Sequence, residues 1–136
     1  MERKERSMSE QRYQQGMDVL KKMIGGDVFP PLEAIRSFYP DFADMIVMNG
    51  FADVYSRPAL DHKQRELITL SSLISQGAID QMNFHVHAAL NVGVKPVEIV
   101  ELVMHCSAYV GFPKAISAMD VVMRIFKERE ISVQPE

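Results

Sequence analysis

Glu66-Leu67-Ile68-Thr69-Leu70-Ser71-Ser72-Leu73-Ile74-Ser75-Gln76-Gly77-Ala78-Ile79-Asp80-Gln81-Met82-Asn83-Phe84-His85 is the stretch from which the fold can be read. Leu67, Leu70, Leu73 and Ile74 recur at the three- and four-residue spacing that places side chains on one face of an α-helix. Gly77 ends that run. Met82, Val86, Ala89 and Leu90 then repeat the pattern over a second helix, from about Asp80 to Val92. So short a link makes the two helices antiparallel neighbours. Glu66 stands eleven residues before Gly77 and His85 eight after it. The hairpin therefore sets His85 opposite residue 69 or 70, about one helical turn (~5 Å) from Glu66.

The rest of the chain continues the helical reading. Tyr13, Met17, Leu20 and Ile24 predict a helix over Ser9–Ile24, stopped by Gly25-Gly26. Phe29-Pro30-Pro31 reads as a link, with a short helix over Leu32–Phe38. Pro40 opens a helix from Asp41 to about Tyr55, with Phe42, Met45, Ile46, Asn49 and Ala52 on one face. Gly50 inside it implies close packing. Ser56-Arg57-Pro58 is a break. Asp61, with Gln64 three residues on, has the form of an N-cap and capping box for the helix carrying Glu66. Pro96 starts a helix running to Val110 and Pro113 the last, to about Glu130. Residues 1–8 and 131–136 are expected to fray. No stretch alternates as a β-strand does. The chain reads as one all-α domain, a small antiparallel bundle of six to seven helices over residues 1–136.

Composition narrows the function classes. The net charge of −3, with no basic stripe, argues against nucleic acid as a partner. The apolar runs fall short of the roughly 20 residues that a membrane helix needs. A single cysteine, Cys106, excludes an internal disulfide and fits a reducing cytoplasm; within an apolar helix it reads as a buried, inert thiol. His85 and His87, two apart, point to different helix faces and make a poor metal pair, so no metal is expected.

Glu66 and His85 remain as the chemical constellation, with His105, mid-helix on a later segment, as a candidate for the same cavity. A carboxylate beside an imidazole fixes its tautomer and makes it a competent proton donor or shuttle. Each residue also has a plainer reading. An acid in an early helical turn suits the helix dipole, and a lone helical histidine is commonly structural.

The same residues resemble the carboxymuconolactone decarboxylase and alkylhydroperoxidase D superfamily. Its peroxidase branch has Glu, eleven residues, C-x-x-C, three residues, His. Here Glu66 and His85 keep that frame while Ala78 and Gln81 occupy the cysteine positions. Tyr55-Ser56-Arg57-Pro58, Asn91-Val92-Gly93-Val94 and Tyr109-Val110-Gly111-Phe112-Pro113 are similar to further family segments. The resemblance implies an all-helical subunit assembled as a trimer or hexamer. Its decarboxylase branch, in the β-ketoadipate pathway of aromatic degradation, uses no cofactor. It removes CO2 from a carboxylated lactone whose C=C bond and carbonyl take up the electrons. His85, oriented by Glu66, is then the expected proton donor and His105 an oxyanion donor. Arg57 or Arg65 would hold the remaining carboxylate. His87 stands where many family decarboxylases carry an arginine, and so is a third substrate-binding candidate. Two alternatives stay open: a thiol peroxidase, for which the second cysteine is missing, and a non-catalytic helical oligomer that binds a small molecule.

Overall fold

The computed structural model describes residues 2–134, with side chains from residue 7 onward. It contains seven α-helices, a π-helical segment and one 3-10 turn; no β-strand occurs among the described residues. The all-α expectation holds. Two compact units divide the chain, Met1–Asp61 and His62–Glu136.

In the first unit, α1 spans Glu2–Ile24, α2 Pro30–Phe38 and α3 Pro40–Met45. Helix α1 thus begins seven residues before the expected Ser9. Its buried stripe is Gly16, Val19, Leu20 and Met23, one residue out of register with the expected Met17. Gly16 explains the offset. A Cβ there would fall on the Val47 carbonyl oxygen and lie 2.8 Å from Val47 Cγ1, so only glycine admits this approach.

Val47 belongs to the π-helical segment Ile46–Ala52, which continues α3. Asp53 N bonds Met48 O and Tyr55 N bonds Gly50 O, both five residues back, so each turn holds an extra residue. The phase change corrects the single α-helical face expected over residues 41–55. Val47, Phe51 and Ala52 are buried, while Phe42 and Met45 are more than half exposed, at 52% and 54%. Gly50 has open space around it, so the close approach lies at Gly16 instead. Arg12 clamps the segment by donating to Asp53 at 2.7 and 3.1 Å and to Asn49 at 3.2 Å.

In the second unit, α4 spans His62–Gln76, α5 Met82–Asn91, α6 Pro96–Val110 and α7 Phe112–Glu128. Gly77 takes φ +75°, a left-handed conformation that L side chains rarely adopt, and Ala78 N bonds Leu73 O to close the turn. The 3-10 turn Ile79–Gln81 then leads into α5, which therefore starts two residues later than expected. The core joins Leu70 and Ile74 of α4, Met82, Val86 and Ala89 of α5, Ile99 and Val103 of α6, and Ala118, Val122 and Ile125 of α7. Glu98 accepts from Lys95 N at 2.9 Å at the start of α6. Residues 131–134 are not frayed as expected. Ile131 N bonds Phe126 O at 2.8 Å, and Ile131 and Val133 pack against the core. Met1 and residues 135–136 lie outside the described residues.

Candidate active site

Glu66, Leu70 and Ile74 share the buried face of α4. That spacing carries Glu66 into the interior, where it is wholly inaccessible. It is the only buried charged side chain among the described residues. Across the hairpin, His85 of α5 turns Nδ1 onto its carboxylate, at 3.0 Å from Oε2 and 3.3 Å from Oε1. The expected one-turn offset is thus closed by the two side chains. A buried carboxylate is tolerated only when paired and hydrogen-bonded, and His85 supplies that pairing.

The chemistry of His85 follows from which nitrogen is occupied. With Nδ1–H donating to Glu66, the imidazole has one tautomer in its neutral form and presents Nε2 as its working atom. The edge-on Phe84 ring, 4.8 Å away, packs beside it. The side chain is 16% exposed, so the imidazole is largely buried without being sealed from solvent. The arrangement can deliver or accept one proton at a fixed point.

The other expected residues are dispersed. His105 is exposed on α6, its ring 5.2 Å from that of Tyr109. It lines an open groove of about 980 Å³ with Leu67, Ser71, Glu98, Glu101 and Met104, among others, but not with Glu66 or His85. This groove therefore does not unite the three residues. Arg65 neighbours Glu66 on α4 and is half-buried. Arg57 is exposed, in the turn closed by Arg57 N to Val54 O, and belongs to the first unit. Cys106 is buried as expected, its Sγ 3.8 Å from Ser71 Oγ.

His87 lies on a different face of α5 from His85. Its Nδ1 is 3.2 Å from Arg129 Nη1, which follows α7. Burial, followed by the charge of Arg129, holds the imidazole below its ordinary value, against a smaller opposing effect of Glu128. A neutral His87 has no charge with which to hold a carboxylate. Arg129, bonded also to Asn91 Oδ1 at 3.1 Å, is the cation at this place. Sequence reasoning missed it because 42 residues separate it from His87. Among the described residues no cluster of three His, Cys, Asp or Glu side chains could hold a metal ion, and no helix is long and apolar enough to cross a membrane.

An all-helical fold with a buried acid–imidazole pair across a hairpin, and a single cysteine, defines the class: a helical protein without the C-x-x-C pair of thiol peroxidases. The chain belongs to the carboxymuconolactone decarboxylase family, whose model matches residues 40–123. It is 36% identical to the 4-carboxymuconolactone decarboxylase of Acinetobacter baylyi over 93% of this chain and 94% of that one. It is 33% identical to the nitrosuccinic acid decarboxylase of Metarhizium robertsii over 85% of this chain and 82% of that one. A 15.0 kDa protein of Paracoccus denitrificans is 29% identical over 73% and 75% of the two chains.

Proposed function

We propose that this protein is a cofactor-independent decarboxylase of a carboxylated lactone, with His85 as the proton donor. The Glu66–His85 pair carries the reading, because it supplies the proton donor that such a reaction needs. In an unsaturated lactone the departing carboxylate sits γ to the carbonyl across a C=C bond. Breaking the C–C bond releases CO2 and sends its electron pair through the double bond to the carbonyl oxygen. The dienolate then takes a proton at carbon from His85 Nε2–H, and Glu66 stabilises the imidazolium before that transfer. Nitrosuccinic acid, named in a second relative, also joins a carboxylate to an electron sink, its nitro group. The shared requirement is a substrate that stores its own electrons while the protein times one proton.

Arg65, beside Glu66 on α4, and Arg57 are the candidate anchors for the carboxylate that stays. His87, held neutral, is a weaker candidate. His105 keeps its proposed oxyanion role only if the working assembly brings it to His85. Assembly as a trimer or hexamer fits the apolar side chains left in water. Tyr109, Phe112, Ile116 and Met123 of α6 and α7 are 79%, 69%, 58% and 62% exposed. A cytoplasmic setting fits the lone reduced cysteine.

The test is CO2 release from 4-carboxymuconolactone, and separately from nitrosuccinate, by purified protein. Wild type is expected to turn over one of them, and His85→Gln to lose on the order of 10²–10⁴ in kcat. Release unchanged in His85→Gln would remove the proton-donor assignment. No release from either acid would remove the decarboxylase reading.

A further inference from the structure

Helix α7 reaches α5 through a polar ladder that the chemistry at His85 does not use. Arg124 Nη2 is 3.4 Å from Asn83 Oδ1. Arg129 Nη1 meets His87 Nδ1 at 3.2 Å and the His87 carbonyl at 3.5 Å, and its Nη2 donates to Asn91 Oδ1 at 3.1 Å. Asn83, His87 and Asn91 are spaced four residues apart and form one stripe of α5.

Both arginines are held by neutral acceptors. Asp120 and Glu128 stand one turn either side of Arg124 on its own helix, yet among the described residues neither guanidinium has a carboxylate oxygen within 4.0 Å. The ladder also consumes acceptors and leaves donors. With its Nδ1 lone pair turned to Arg129, a neutral His87 carries its proton on Nε2. Asn83, its oxygen given to Arg124, keeps an amide NH2. Each guanidinium has five N–H groups, more than these contacts use. Asn83, Arg124 and Arg129 are exposed and His87 is half-buried. Two positive charges and spare N–H groups thus line one stripe of α5, with no carboxylate oxygen within 4.0 Å of either guanidinium among the described residues.

We propose that this α5–α7 seam is an oxyanion-binding site, taking a carboxylate or phosphate group between Arg124 and Arg129 with His87 Nε2–H and the Asn83 amide as further donors. Glu128, close enough to act on His87, and Asp120, one turn before Arg124, are opposing charges that limit affinity. Binding here does not depend on the reaction at His85.

Titration of the full-length protein with inorganic phosphate and, separately, with succinate, at constant ionic strength and followed by calorimetry and NMR, tests the site. Saturation in the millimolar range by either probe is expected, and the probe that saturates identifies the oxyanion. Arg129→Gln and Arg124→Gln should each weaken binding about tenfold or more, and Glu128→Gln should tighten it severalfold. Asn83→Asp separates binding from simple stapling. It places a carboxylate against Arg124, so anion affinity should fall about tenfold while Tm is kept or raised. Absence of saturable binding of both probes up to about 50 mM overturns the site. So does affinity that is unchanged in Asn83→Asp and Arg129→Gln.

Discussion

Replacing His85 by alanine tests the central pair through stability as well as activity. Glu66 is fully buried, and its only hydrogen-bond donor among the described residues is His85 Nδ1, at 3.0 and 3.3 Å from the two oxygens. Without the imidazole the carboxylate keeps its desolvation and loses its compensation. Breaking a buried pair from one side costs about 3–5 kcal/mol, a large part of a typical 5–15 kcal/mol total. For a chain of 136 residues that lowers Tm by roughly 10–15 °C. The second half of the experiment is Glu66→Leu on the His85→Ala background, which removes the stranded charge at nearly constant volume. Tm should recover by more than half, leaving mainly the cavity of the missing ring. Chemical denaturation and differential scanning calorimetry of the four members of the cycle give the coupling energy, expected at about 2 kcal/mol or more. A loss under about 1 kcal/mol in His85→Ala, or no recovery on adding Glu66→Leu, would refute the reasoning. Turnover is assayed well below the lowest Tm, so that lost chemistry is not confused with lost fold.

Glu66→Gln retains an oxygen for Nδ1–H but no charge to stabilise the imidazolium. We expect a roughly 10–100-fold loss of kcat with only about 1 kcal/mol of stability, read by steady-state kinetics beside urea denaturation. His87 makes a pH prediction. Its folded value lies below the ordinary 6.5, so the folded chain binds this proton less readily than the unfolded one. Its contribution is intact above about pH 6.5 and is lost as pH falls through the lowered value. His87→Gln should therefore flatten the fall of Tm with pH in that window, and an unchanged profile would contradict the assignment. Gly16→Ala forces a methyl onto the Val47 carbonyl and should cost about 1–3 kcal/mol by denaturant unfolding, whereas Gly50→Ala, with open space, should not destabilise. Alkylating reagents should leave Cys106 unmodified in the native protein and activity unchanged, because the thiol is buried; intact-protein mass spectrometry reads the first and CO2 release the second.

Most of the helical order is local information. The repeat of Leu67, Leu70, Leu73 and Ile74, the stop at Gly77 and the starts at Pro96 and beside Pro113 come from 3.6-residue periodicity and backbone chemistry, which operate within a few neighbours. The Glu66–His85 contact was legible for the same reason. A tight hairpin sets each residue opposite one about equally far from the turn, so counting from Gly77 places His85 within one helical turn of Glu66. The π-helical segment was not legible. Its Val47 packs on Gly16, a contact 31 positions away in the chain that local periodicity does not encode. His105, on a later helix, was a candidate for the same cavity as the pair, but it lines a groove with Leu67 and Ser71 of α4 instead.

What the sequence by itself determined is thus the all-α class, the hairpin, its acid and imidazole, and the absence of a cysteine pair. Tertiary structure alone decided that Glu66 is wholly buried, that His85 turns Nδ1 onto it, that burial lowers the His87 imidazole below its ordinary value, and that Arg124 and Arg129 reach α5. The division has a physical cause. Backbone periodicity is encoded by nearest neighbours, while burial, protonation and ion pairing depend on side chains that only the completed fold brings together.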